Sequence, residues 1–389
     1  MTRSRRLIAG ASAVACLLVA GCGSSSSGGP TAPASTPRTS APATSGQPTT
    51  GPGGPSTGSS TQKMVSEQNF LAGYVTSDGR VLRRDQGNDI VSEGQAYGML
   101  VAEVVGKASL ARTIWTWTSR HLPGKHGLIA SRATGDGQVQ DSNSAADADA
   151  LLAYALLRYS GPGQSGLHAE GRRLARAILT AETTTVGGKT VVLAGPWAKS
   201  PPRVDPSYWM PDVFLALAHY TGDDRWQEAS DSALSLLEQV TSDGQKLPPD
   251  WAQISGDGLN PIASPSGGAP VQYGLDAARL PIWLGTGCSD RARGLAANWW
   301  QLLSQGDTAR YLAVSLTGQP INQTKHPLML MAGAAAAAAA GDTSASESLR
   351  VQANDLAGAH PTYYGSAWLA LGAALLDGYL DPCHDAGLR

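Results

Sequence analysis

Phenylalanine is nearly missing from this chain: there are 2 in 389 residues, against 10 Trp and 11 Tyr. Aromatic bulk is carried instead by side chains with a polar handle, which suit a core and also the face of a sugar ring. For any single Trp the core is the default. Cysteine is scarce too. Cys16 and Cys22 lie near the N-terminus, which leaves Cys288 and Cys383. A disulfide between these two stays open, because spacing alone cannot establish it. No Cys/His spacing fits a metal site and the 7 His are scattered, so no metal and no cofactor are expected. Neither sign of charge dominates. The formal net charge is −2, and setting aside Arg3, Arg5 and Arg6 makes it more negative by three. That excludes the basic footprint of a nucleic-acid binder and suits a neutral substrate.

What is present divides the chain in three. Arg3, Arg5 and Arg6 precede an apolar stretch over 7–20 that is too short for a good membrane span. This is the layout of an export signal. It ends in Val19-Ala20-Gly21-Cys22, which resembles the cleavage box of bacterial lipoproteins. The resemblance makes 1–21 a signal peptide and Cys22 the lipid-bearing first residue, with ordinary secretory cleavage as the alternative. Ser4-Arg5-Arg6-Leu7-Ile8 also resembles a twin-arginine signal, so the export route stays open. Residues 22–62 are almost all Ser, Gly, Pro, Thr and Ala, too poor in apolar groups to offset the entropy of ordering. They read as a disordered tether with a reach on the order of 35 Å. Residues 63–389 read as one domain, because no comparable linker interrupts them. The expected place is the outer face of the cell membrane, or the medium, and the expected state is a monomer.

Within that domain helical periodicity dominates and few segments alternate like strands. The pattern predicts helices over 63–75, 91–106, 109–122, 144–159, 167–180 and 208–220. It continues over 224–240, 273–284, 290–303, 326–340, 343–356 and 362–376. Those over 91–106, 144–159 and 208–220 are apolar nearly all round. Those over 109–122, 167–180 and 224–240 are apolar on one face. Alternation of buried and half-buried helices is what an inner ring inside an outer ring produces. The expected fold is therefore all-α, an (α/α)6 toroid, with an irregular helical solenoid as the alternative. The alanine run 332–340 is an inner helix or compositional drift. Loops over 183–205 and 241–272 are long enough to build a cleft at one end.

Three acidic clusters stand at starts of apolar helices. The first is Ser92-Glu93-Gly94-Gln95-Ala96-Tyr97-Gly98-Met99. Ser92 and Gln95 have capping-box spacing, which makes Ser92 the expected N-cap. The second is Asp141-Ser142-Asn143-Ser144-Ala145-Ala146-Asp147-Ala148-Asp149, and the third is Tyr273-Gly274-Leu275-Asp276-Ala277-Ala278-Arg279. A carboxylate at the end of a buried helix is costly without work or partners. Several such acids with Trp and Tyr nearby point to acid/base hydrolysis of a sugar polymer. Each also has a plain structural reading: Glu93 could cap its own helix, Asp149 reads as an ordinary helix-start acid, and Asp276 with Arg279 could be an i, i+3 ion pair.

These motifs, in this order, resemble glycoside hydrolase family 8, especially its bacterial β-1,4-glucanases and cellulases. The resemblance rests on Ile90 to Met99, on Asp141 to Tyr154, on Asp205-Pro206-Ser207-Tyr208-Trp209, on Leu247-Pro248-Pro249-Asp250-Trp251 and on Tyr273 to Pro281. It implies an inverting hydrolase of internal β-1,4 bonds in a glucan such as cellulose. Glu93 would be the general acid and Asp276 the general base. Asp147 would bind the distorted sugar and set the charge of the site. Tyr208 and Arg279 would hold base, water or substrate, and Tyr273 would be a further substrate contact. Trp115, Trp197, Trp209 and Trp251 are candidate sugar platforms. The chain departs from the family pattern twice: Ala146 stands where a Ser or Thr is usual, and Asp205 where an Asn is usual. The lost hydroxyl is worth on the order of 1 kcal/mol. Both departures touch substrate preference more than chemistry.

The roles make physical demands. A general acid needs a raised pKa, yet a helix N-terminus favours the anion. Glu93 must therefore be buried beside another acid such as Asp147. Inversion requires the two carboxyls to stand roughly 6.5–9.5 Å apart. The resemblance also admits xylan or chitosan as substrate. A non-catalytic glycan-binding lipoprotein and a polysaccharide lyase on a similar toroid are rivals from other classes.

Overall fold

The computed structural model describes residues 64–388. The expected signal, Cys22 and the tether lie outside them. Twelve helices follow the predicted order: α1 (Val65–Tyr74), α2 (Ser92–Val104), α3 (Ala108–His121), α4 (Ala146–Arg158), α5 (Gln164–Ala181) and α6 (Pro211–Thr221). Then come α7 (Arg225–Thr241), α8 (Leu280–Gly285), α9 (Asp290–Leu303), α10 (Pro327–Ala339), α11 (Thr343–Ala359) and α12 (Tyr363–Leu376). The even-numbered helices pack on one another in sequence order, and α12 closes on α2. Each odd-numbered helix packs outside an even one, with α1 against α12. This is the (α/α)6 toroid. A short α13 (Pro382–Asp385) docks on α6.

Burial follows ring position. The inner α4 buries every residue from Ala146 to Leu157, whereas the outer α3 buries Ala111, Ile114, Trp115, Trp117 and Thr118 along one side. The alanine run belongs to inner α10, where Ala334 to Ala337 have no exposed surface. Small residues let this helix lie close to α8: a β-carbon on Gly285 would meet the Ala335 carbonyl at 2.8 Å.

Several predicted boundaries move for local reasons. α6 starts at Pro211, not 208, because Pro fits the first helical turn and ends the extended chain before it. α8 is short, because Asp250 accepts the Gly274 and Ala277 N–H groups and holds the segment before the helix as a loop. Ser92 does not cap α2. Val91 is the N-cap residue and Ser92 lies inside the first turn. Gln95 accepts the Val81 N–H and donates to Gly79 and Thr118, tying α2 to the outer layer instead.

The long loops carry more strand than the sequence pattern predicts. In chain order the strands are β1 (Ile90–Val91), β2 (Arg132–Ala133), β3 (Val139–Asp141), β4 (Thr183–Val186) and β5 (Lys189–Val192). They continue with β6 (Arg203–Val204), β7 (Trp251–Ser255), β8 (Gly258–Ile262), β9 (Tyr311–Val314) and β10 (Pro320–Lys325). All ladders are antiparallel, and β6, β7 and β8 form one three-stranded sheet. Cys288 and Cys383 are bonded, which fastens α13 to the start of α9.

Candidate active site

The inner helices all start at one end of the ring, so their positive dipole ends and unpaired N–H groups converge there. Val91 of β1, Ser92 and Glu93 of α2, Ala145 just before α4, Asp147 of α4, and Tyr208 before α6 line the cleft at this end. Asp276 and Arg279 before α8, and Tyr364 of α12, complete it around a cavity of ≈ 50 Å³. A larger hollow of ≈ 550 Å³ lies on the outer flank between α1, α11 and α12. Its charged groups are spent locally: Arg84 donates to the Gly73 carbonyl and Asp85 accepts the Tyr363 N–H. The chemistry therefore belongs to the smaller cleft.

Arg279 organises it. Its Nη1 donates to Glu93 Oε1 at 3.1 Å and to Asp147 Oδ2 at 2.7 Å. Its Nη2 donates to Asp205 Oδ2 at 3.2 Å and to Ser207 Oγ at 2.5 Å, and faces Asp276 Oδ1 at 3.9 Å. The guanidinium also lies over the Tyr208 ring, 5.1 Å from its centre. One cation is thus shared by four carboxyls, with Glu93 on one amino group and Asp276 beyond the other.

Glu93 Oε1 also accepts from Tyr97 at 2.5 Å. Both bonds fall on one oxygen, which leaves Oε2 able to carry a proton toward the cleft. Burial pushes Glu93 up to about 7, Asp147 adds repulsion, and Arg279 and Tyr97 pull the other way. The demand placed on a general acid is met by the environment that the roles require. A β-carbon on Gly94 would sit 2.6 Å from the Tyr363 hydroxyl, so only glycine lets α2 bring Glu93 this close to α12.

Asp276 is pushed up to about 7 as well, by burial and then by Asp250, against the pull of Arg279 and a hydrogen bond from Trp251 Nε1. The two acids differ in access. The Asp276 side chain is 41% exposed and that of Glu93 19%. Water reaches Asp276 more readily, which suits it to take a proton from a water molecule. Asp147, fully enclosed, is raised by burial in spite of Arg279. Asp205 is held well above the usual carboxylate range by burial and by Asp276.

Of the aromatic candidates, Trp251, Trp197 and Tyr208 form a contiguous wall, with ring centres 6.2 Å and 6.5 Å apart. The other three are core. Trp115 is buried under α3, Trp209 donates to the Val192 carbonyl from inside the fold, and Tyr273 has no exposed surface. Asp149 lies in the first turn of α4, as its reading as a helix-start acid expects; it is fully buried, accepts the Ile129 N–H, and is raised by burial and then by Glu182.

Tyr97, Asp205, Ser207, Asp250 and Tyr364 were not singled out as site residues. Tyr97 carried a signal, since i and i+4 share a helix face with Glu93. Asp205 and Asp250 sit in loops, where no periodicity points anywhere. Donor atoms of Asp212, Cys288 and Cys383 cluster as metal ligands would, but the two sulfurs are bonded to each other.

Comparison with known proteins agrees with this geometry. A probable endoglucanase of Novacetimonas hansenii is 28% identical over 233 residues, covering 55% of this chain and 64% of the relative. An endoglucanase of Cellulomonas uda is 28% identical, covering 56% and 62%. The match thus spans less than two thirds of these relatives' length. The crystallised endo-β-1,4-glucanase of Acetobacter xylinum is 26% identical, with a TM-score of 0.66 over 81% of this chain and 98% of that one. The sequence model of glycosyl hydrolases family 8 matches residues 58–377, which hold every carboxyl bound by Arg279. A helical ring with its acids gathered at the inner N-termini, and a family match across it, make this chain a member of glycosyl hydrolases family 8.

Proposed function

We propose that the protein hydrolyses internal β-1,4 bonds of a glucan, with inversion at the anomeric carbon. The observation that carries this reading is the placement of Glu93 and Asp276 on different amino groups of one buried arginine at the cleft. Arg279 stands between them, which suits the gap that inverting enzymes leave for water. Glu93 Oε2 gives its proton to the glycosidic oxygen as the C1–O bond breaks. A water on the other face of the sugar attacks C1 and loses a proton to Asp276. One water is consumed, and the two carboxyls exchange protonation states until solvent resets them. Asp147, also on Arg279 Nη1, keeps Glu93 protonated and lies where it can meet the reacting sugar. Tyr208 closes the floor beneath the guanidinium.

Several relatives are named endoglucanases, which supports a glucan; a reducing-end xylose-releasing exo-oligoxylanase of Paenibacillus barcinonensis, 25% identical, keeps xylan as the second reading. The test is reducing-sugar release by the purified protein from carboxymethyl-cellulose, mixed-linkage glucan, xylan and chitosan, beside Glu93→Gln. Release from the glucans that disappears in the variant is the expected result. Release from none of them, with binding kept, would replace the hydrolase by a glycan-binding protein.

The protein also reads as a surface lipoprotein held through Cys22. Support comes from the basic, apolar and Cys-ended order of residues 1–22. Detergent-phase partitioning that is lost in Cys22→Ala is the expected result, and a wild-type protein that stays in the aqueous phase would refute it.

A further inference from the structure

One wall of the cleft carries a cation that no acid answers. Arg203 on β6 pairs with Gln253 on β7, and Gln253 pairs with Asn260 on β8. Residues opposite one another in an antiparallel ladder share a face, and so do residues two apart on a strand. Arg203, Gln253 and Asn260 therefore form a row across the sheet on the same face as Trp251, about 7 Å farther along the strand. Trp251 is the residue that bonds Asp276. Trp197 packs beside Trp251 and lies beneath the Arg203 guanidinium, whose carbon is 5.9 Å from the ring centre. The face runs outward from the base carboxyl as Trp251 and then a row of planar polar groups.

Arg203 is poorly used by the fold. Its Nε is buried and has no hydrogen-bond partner, and among the described residues no carboxylate pairs with it. Lys199, in the same loop, is exposed and likewise without an ion pair among them. Four carboxyls crowd Arg279 on one side of Trp251, and none meets Arg203 on the other. Stacking on Trp197 holds the guanidinium in place, but no hydrogen bond or carboxylate among the described residues takes its amino groups, so folding alone leaves them unused. Substrate chemistry uses them. Trp251 is nearly buried and Trp197 half-buried, so the accessible part of Trp197 offers the apolar surface for a sugar ring, amides bond its hydroxyls, and a guanidinium edge takes an oxyanion through paired hydrogen bonds.

We propose that this face is a distal substrate subsite for a sugar bearing an anionic substituent, with Arg203 as the group that binds the anion. The excess carboxyls around Arg279 repel such a sugar from the cleavage point, which confines it to the outer position. The inference rests on the glycan-hydrolase reading and adds the substrate class.

The test compares an anionic polymer with a neutral one of the same backbone. Kinetics on carboxymethyl-cellulose and hydroxyethyl-cellulose are measured for wild type, Arg203→Gln and Arg203→Lys. The ratio of kcat/KM for the anionic over the neutral polymer should fall about fivefold in Arg203→Gln, the size of a partly exposed ion pair, and through KM. Arg203→Lys should recover part of it, and added salt should lower the wild-type ratio but not that of Arg203→Gln. A uniform loss on both polymers, or no change on either, overturns the proposal. If wild type cleaves neither polymer, the hydrolase reading fails by itself. Native gels containing each polymer then decide: selective retardation by carboxymethyl-cellulose that vanishes in Arg203→Gln supports the subsite, and equal or absent retardation overturns it.

Discussion

Two arginines, Arg279 buried and Arg158 half-buried, stand at opposite ends of the same pair of helices, and they keep different company. Arg279 serves the starts of α2 and α4, where it meets Glu93 and Asp147, and also reaches Asp205 and Asp276. Arg158 is the last residue of α4. It bonds Glu103 near the end of α2 at 2.8 Å and Asp385 of α13 at 3.1 Å, and Tyr154 donates to Asp385 as well. The two ends are about 17 Å apart along α4. At the Arg158 end two acids face one cation, and burial, pushing Glu103 up to about 8, lets one proton balance the account. α13 covers that end and the disulfide fastens it. At the Arg279 end four acids face one cation and the site stays open. Such a cluster persists only by holding protons, and protons held near neutral pH are what acid/base chemistry needs. A cation matched in charge marks structure; one outnumbered by acids, of which one opens to water, marks function.

The contrast breaks if neutralising an acid has the same consequence at both ends. Glu93→Gln or Asp276→Asn should lower kcat by about 10³-fold with the fold intact, whereas Glu103→Gln should leave activity within about twofold. Circular dichroism beside each rate measurement separates the two effects. The arginines sharpen the same point. Arg158→Gln should cost about 1–3 kcal/mol, because half-buried Asp385 loses a charged hydrogen-bond partner, while the surviving folded protein turns over normally. Arg279→Lys keeps the charge but loses the fork, so kcat should fall more than Tm does.

Removing the fastening of the Arg158 end comes next. Cys288→Ser with Cys383→Ser should lower stability by about 2–4 kcal/mol in denaturant titration, and activity at 25 °C should remain. Smallest is a shift in the pH profile. After burial, the negative charge of Asp147 is the next influence raising Glu93. Taking it away in Asp147→Asn lowers the Glu93 pKa, so the acid form is lost at lower pH. The alkaline limb of kcat/KM should move down, and an unmoved or raised limb would separate Asp147 from the acid.

The ring was legible in the sequence because inner and outer helices bury different fractions of their surface, and that difference is written as periodicity. The three acidic clusters were legible because each stands at the start of an apolar helix; the choice of Glu93, Asp147 and Asp276 within them, and of Arg279, came from the resemblance to the family. The environment of these acids was less legible. Asp205 and Asp250 act through loops whose conformation depends on Arg279 and on the segment before α8. Trp115, Trp209 and Tyr273 look like Trp251 in a sequence, and only packing decides which aromatic reaches a cleft acid, as Trp251 does through Asp276. Ser92 has the spacing of a cap, but Gln95 is drawn to Val81 and Thr118, and tertiary hydrogen bonds win over the local one.

The most direct test of the central claim is the anomeric form of the first products, read by proton NMR while a glucan is being cut. Glu93 and Asp276 acting across Arg279 predict α-anomers first, which then mutarotate. β-Anomers first, or unsaturated sugar ends, would contradict the account.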